Sequence, residues 1–166
     1  MAALRGLWAL SEDEVWVVGA GGTAGRWNGR EWTLVATGTP RDLLGIWGSR
    51  SDDVWVVGAA GTILHWDGAS WTRVETGSEM SLAGIWGTDG GTLCAAGGAS
   101  TGWSPAPGVL RRDGTAWRFE EVTDAFEFRA LWGTGPEDVW GAGTGEVWAA
   151  GSFGDFRSGV LLRMRR

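Results

Sequence analysis

The chain has no tyrosine, no lysine and no glutamine, one cysteine and one histidine. A lone Cys94 allows no intramolecular disulfide and no cysteine-based metal cluster, and a lone His65 allows no multi-histidine metal centre. No cofactor, metal site or catalytic set is expected from these residues. With a formal charge of −6 from 20 acids, nucleic acid is a poor partner, despite the basic end formed by Arg163, Arg165 and Arg166. No stretch approaches the roughly 18 consecutive apolar residues of a membrane span. The opening residues, with acids from Glu12 onward, read as a first strand rather than a signal peptide, which leaves the compartment open.

What abounds is glycine and tryptophan, at 30 and 14 of 166 residues. Glycine at that level weakens helices, and the indoles carry too much buriable surface for a disordered chain. The length suits a single domain.

The chain repeats itself. Trp8, Trp47 and Trp86 follow one another at spacings of 39, within LRGLWALSEDEVWVVG, LLGIWGSRSDDVWVVG and LAGIWGTDGGTLCAAG. A fourth copy, FRALWGTGPEDVW, places Trp132 46 residues after Trp86. The extra residues fall in GGASTGWSPAPG, inside the third unit. Units of about 40 residues, built of short apolar runs separated by Gly and Asp-Gly turns, predict four-stranded antiparallel blades. In the second unit the runs are 43–48, 53–58, 62–66 and 71–75. The first two are apolar on both faces and the last alternates, as expected if the first strand lies near a central axis and the last at the rim. Gly45, Gly48, Gly84 and Gly87 flank the recurring Trp and fit close backbone approach. The pairs Asn28-Gly29, Asp67-Gly68 and Asp113-Gly114 supply tight turns.

On these motifs the chain resembles the Trp-rich blade repeat of bacterial β-propeller proteins, with a pattern LxGIWGSxSDDVWVVGxxGTILHWDGxxW. The resemblance is strongest over residues 1–79 and implies an all-β propeller, similar in plan to kelch and WD-repeat proteins without their signatures. It brings no catalytic motif and no defined ligand, and the family includes exported proteins. Blades are expected at about 3–39, 42–78, 81–124 and 128–166, as one propeller domain or half a propeller. Departures from the pattern are Cys94 at the second-strand Trp position and Arg112 at the Trp66 position. In the fourth unit EDVWGAGTGEVWAAG reads as a duplication extending the first hairpin, and GVLLRMRR as a third strand with Met164 at the Trp66 position. That leaves the last blade incomplete, with about fifteen strands in all. Three outcomes stand open: a distorted ring of four, two chains completing one ring, or part of a longer propeller. Uncovered Trp-rich faces favour a homo-oligomer.

The recurring Trp8, Trp16, Trp47, Trp55, Trp86 and Trp132 are expected to pack between blades. Trp103, in the third-unit insertion, falls outside the pattern. A second insertion at residues 151–158 lengthens the corresponding turn of the fourth unit, so Trp103, Phe153, Phe156 and Arg157 are expected to share a surface for a partner. Glu14, Asp53 and Asp138 precede the second-strand Val-Trp, where an acid is expected to accept from its own turn's amides rather than hold calcium. His65, aligned with Arg26, Arg111 and Arg163, is expected to be structural. The glycine-rich 19–25 segment lacks a following helix and a lysine, so it reads as a turn and not a phosphate loop. The function expected is a non-catalytic interaction module for protein partners or self-assembly; the alternative is a carbohydrate-binding propeller. Glycoside cleavage would need carboxylates clustered near the axis, and the acids here fall mainly in turns.

Overall fold

The computed structural model describes residues 2–89, 91–98, 108–121, 128–135, 138–143, 146–151 and 161–165. Its strands form four antiparallel sheets, each of four strands in chain order. The first sheet holds β1 (Leu4–Ser11), β2 (Glu14–Gly19), β3 (Ala24–Trp27) and β4 (Trp32–Leu34), with one 3-10 turn at Ala20–Gly22. The second holds β5 (Leu43–Arg50), β6 (Asp53–Gly58), β7 (Ile63–Trp66) and β8 (Trp71–Arg73). The third holds β9 (Ser81–Gly87), β10 (Leu93–Gly98), β11 (Gly108–Asp113) and β12 (Ala116–Glu121). The fourth holds β13 (Phe128–Gly135), β14 (Asp138–Gly143), β15 (Glu146–Gly151) and β16 (Leu161–Arg165).

The fourth sheet corrects the expected strand count. The second Val-Trp phrase does not lengthen a hairpin; it forms β15, which pairs with β14 through Trp140 opposite Ala149. The terminal segment then pairs with β15 as a fourth strand, Trp148 facing Arg163. Duplication of a strand-forming phrase adds a strand, because the apolar alternation and the glycine that ends it are duplicated together.

Local chemistry sets the turns. Gly29, Gly68 and Gly114 take φ of +85°, +95° and +62°, the left-handed backbone that the Asn-Gly and Asp-Gly pairs are suited to supply. Asn28 and Asp67 each accept two backbone amides of their own turns, at 2.8 to 3.0 Å. Burial follows the expected gradient: β6 is buried from Val54 to Gly58, while β4 is exposed throughout and β8 nearly so.

Neighbouring sheets pack face to face with indoles at the seams. Trp8 tilts onto Trp47 at 6.2 Å between ring centres and donates its Nε1 to the Gly48 carbonyl at 2.8 Å. Trp16, fully buried, is enclosed by Trp66 and Trp71 of the next sheet at 5.3 and 5.4 Å. At the following seam Trp55 meets Trp117 edge-on and the Arg112 guanidinium at 4.9 Å. Arg112 thus covers its neighbour's indole where the second sheet uses Trp66, a cation–π contact in place of an aromatic one. Trp47, Trp55 and Trp86 are buried as expected, but Trp132 is not: it is 62% exposed, because among the described residues no sheet lies against its face.

The close approach assigned to glycines holds at Gly84, where a Cβ would fall 2.6 Å from the Leu131 amide nitrogen. Strand β13 therefore passes against bare backbone of β9. The segment linking one sheet to the next is clasped by the preceding sheet's β-turn. Gly61 donates its N–H to the Met80 carbonyl at 2.9 Å, and the same turn holds the segment entering its own sheet, Ala59 donating to the Asp42 carbonyl, also at 2.9 Å.

Candidate functional site

The first strands of the four sheets converge along one concave side. Each is the inner edge of its sheet, so each keeps a row of main-chain groups outside its own ladder. Between them lies an open trough of about 230 Å³, bordered by Gly6 and Leu7 of β1, Gly45 and Ile46 of β5, Gly84 and Ile85 of β9, and Arg129 to Leu131 of β13. Glycine lets the walls present backbone rather than side chain, Leu7 gives apolar surface, and among the described residues bordering it Arg129, which also has a partner within the chain, is the one charged residue. The chemistry on offer is main-chain hydrogen bonding, apolar contact and one fixed positive charge.

Sequence reasoning passed over this trough. The usable signal was variation at an otherwise apolar register: the position three before the recurring Trp holds Leu44 and Ala83 in the middle sheets but Arg5 and Arg129 in the outer two. Arg5 stands 3.8 Å from Asp42, both side chains about half exposed, and such a pair contributes little.

The acids at the start of the second strands have partners other than those expected. Glu14 does not accept from its own turn; it pairs with Arg26 at 2.7 Å and accepts from the Ser51 hydroxyl of the second sheet, tying two sheets together. Asp53 accepts from the Ser49 hydroxyl, from Trp55 Nε1 at 2.8 Å and from His65 Nε2 at 2.9 Å. Side-chain donors win because the adjacent strand places Arg26 opposite Trp16, and His65 opposite Trp55, two residues along from the acid and so on its face of the sheet. Burial pushes the Asp53 pKa up, but the bonds from Ser49, Trp55 and His65 more than offset it, so the carboxyl sits below the usual aspartate value.

Ser49, Asp53 and His65 superficially form a hydrolytic set. The order is wrong for one: the carboxylate lies between the hydroxyl and the imidazole and accepts from both, whereas activating a serine requires the imidazole in the middle. The imidazole is also stacked on Trp55 at 4.1 Å, which fits the structural role expected of it. The 19–25 segment is a turn, as expected, and its Gly21 amide is taken by the Asp42 carboxylate at 2.8 Å.

Trp103, Phe153, Phe156 and Arg157, the residues expected to share a partner surface, lie outside the described residues, and the two insertions do not fall in corresponding turns: one joins the second and third strands of its sheet, β10 and β11, the other the third and fourth, β15 and β16. The side chain of Asp138 also lies outside the described residues. Cys94 is buried opposite Trp86, on the face of the third sheet turned toward the fourth. Among the described residues no helix is long and apolar enough to cross a membrane.

No protein-family model matches the chain, and no curated protein matches it. Among solved structures it is similar to YCF48 bound to D1 peptide, with a TM-score of 0.65 and 16% identity over 93% of this chain and 52% of that one. It is also similar to YCF48 from Cyanidioschyzon merolae, with a TM-score of 0.61 and 15% identity over 92% of this chain and 56% of that one. Likeness at this identity establishes the β-propeller fold. The chain spans about half the length of these propeller proteins.

Proposed function

We propose that the chain is a non-catalytic β-propeller module that binds a protein segment in extended conformation along its concave side. The observation that carries this reading is the trough itself, where inner-edge backbone, apolar side chains and Arg129 border one opening. An extended segment satisfies such a site: its main chain can meet the inner edges, an apolar side chain can meet Leu7, and the positive charge of Arg129 favours an acidic segment. That YCF48 has been solved with a D1 peptide supports a peptide as the class of ligand. The order of Ser49, Asp53 and His65 supports the absence of hydrolytic chemistry at that cluster. The Trp-rich bacterial propeller repeat remains the family reading that the sequence motifs support.

The test is fluorescence anisotropy with a panel of labelled extended peptides, each in an acidic form and in a form with Glu and Asp replaced by their amides. Binding is expected to favour the acidic forms and to fall at least tenfold in Arg129→Glu, with no change in Leu34→Arg at the rim. Saturable binding indifferent to Arg129→Glu would place the partner elsewhere and refute the assignment.

A further inference from the structure

We propose that two copies of this chain join head to tail, the fourth sheet of each seated on the first sheet of the other, closing one ring of eight sheets. The interior seams show what such faces receive. On the second sheet, the face turned toward the first carries Leu43, Ile46 and Trp66, exposed by 0%, 7% and 6%. The same register in the first sheet carries Leu4, Leu7 and Trp27, with Leu4 58% and Leu7 64% exposed and Trp27 half-buried. All three positions are apolar in both sheets; among the described residues only the cover differs.

The opposite face gives the counterpart. In the first and second sheets it presents a cross-strand Trp pair, Trp8 with Trp16 and Trp47 with Trp55, and each pair is packed by the next sheet. The fourth sheet presents the same pair, Trp132 opposite Trp140, with 62% and 37% of these residues exposed. The face of the first sheet is therefore shaped for a Trp pair, and the fourth sheet holds one uncovered. Two exposed apolar faces of complementary kind on one molecule make a heterologous contact, which closes when the arc is half a turn.

Steric detail at the seam agrees. Gly48 receives Trp8 in the interior seam, and a Cβ there would lie 3.5 Å from Trp8 Cδ1, an ordinary contact. Ala9, at that register in the first sheet, can thus receive Trp132. Ala130 stands at the register of Gly84, where a Cβ would fall 2.6 Å from the next strand's Leu131 nitrogen, so the seam between copies is slightly wider than the interior ones. Ring closure also completes the trough, whose open side is then walled by the partner copy.

The proposal rests on the propeller reading but not on the peptide ligand. A monomer that binds peptide would overturn the ring alone, and a ring that binds none would overturn the ligand alone. Sedimentation equilibrium on the 166-residue chain at micromolar concentration is expected to give twice 17.6 kDa. Leu7→Arg and Trp132→Arg, both at exposed positions, are each expected to return the mass to 17.6 kDa with an unchanged far-UV spectrum. Mixed in equal amounts, the two variants regain one intact seam and form a pair that neither forms alone. A monomeric wild type, a mass that keeps rising with concentration, or a mass sensitive to only one of the two substitutions overturns the head-to-tail ring.

Discussion

Gly61 and Gly77 have nearly the same backbone, φ +65° and +72°, and opposite surroundings. A Cβ at Gly77 meets nothing within 4 Å, whereas one at Gly61 would fall 1.8 Å from the Ser78 carbonyl oxygen. Gly77→Ala therefore carries only the cost of a left-handed alanine, about 1 to 2 kcal/mol. Gly61→Ala carries that cost and must also displace the linker that it clasps. The displacement breaks the 2.9 Å bond from Gly61 to Met80, a loss of about 1 kcal/mol. It also shifts Met80, which is fully buried, adding about 1 kcal/mol or more of lost packing. The expected difference between the variants is about 2 kcal/mol, and the total for Gly61→Ala about 3 to 4 kcal/mol. Equilibrium urea unfolding at fixed protein concentration, followed by tryptophan fluorescence, reads this directly. With a slope of about 2 kcal/mol per molar, the midpoints should lie about 1 M apart. Gly22 and Gly38 repeat the comparison one sheet earlier, with φ of +73° and +72° and a Cβ contact of 1.7 Å at Gly22 against none at Gly38. Equal midpoints within either pair would show that the clasp does not hold the linker.

Trp16→Ala should cost about 3 to 5 kcal/mol, since it empties the centre of a closed indole cluster, while Trp32→Ala, with 52% of the residue already in solvent, should cost far less; thermal midpoints compare them. Asp53 has a folded pKa below its reference of 3.8, so its contribution is present above that value and is lost as pH falls through the folded pKa. Asp53→Asn should remove that acid-side loss, seen as a flatter dependence of the urea midpoint on pH below 4. Burial raises the Glu120 pKa above 4.5, against the nearby Arg111 and Arg118, so its stabilising neutral form is complete below that value and is lost as pH rises through the folded pKa. Glu120→Gln should then be more stable than the wild type at pH 7 and equal to it below pH 4, by the same unfolding assay.

The sheets were legible because a repeat lets the chain be compared with itself. The apolar runs around Trp8, Trp47 and Trp86 mark the same strands, and the Asx-Gly pairs mark turns that the backbone then takes. Self-comparison has a blind side: where one copy duplicates a phrase, alignment to the template spends the duplicate on an existing strand, and β15 was overlooked for that reason. The same logic expected Trp132 to be buried, because position in a repeat reports which face a residue occupies and not whether another sheet covers it. The partners of Glu14 and Asp53 were hidden differently. They depend on cross-strand register, which brings Arg26 and His65 alongside, and a turn-based rule looks only a few residues away. The trough bordered by Arg129 is made largely of glycine backbone, which leaves little trace in side-chain patterns.

The triangle of Trp16, Trp66 and Trp71 has a consequence for light as well as for packing. Its three ring centres lie 5.3 to 5.5 Å apart, at interplanar angles of 51° to 81°. Transition dipoles so close and so steeply inclined couple, and the sign and size of the resulting circular-dichroism couplet depend on the angle between two sheets rather than on strand content. At the next seam an arginine replaces one of the indoles, and that three-indole coupling is lost. Among the described residues a three-indole cluster stands at this seam alone, so it can report when the first two sheets part while the others remain joined.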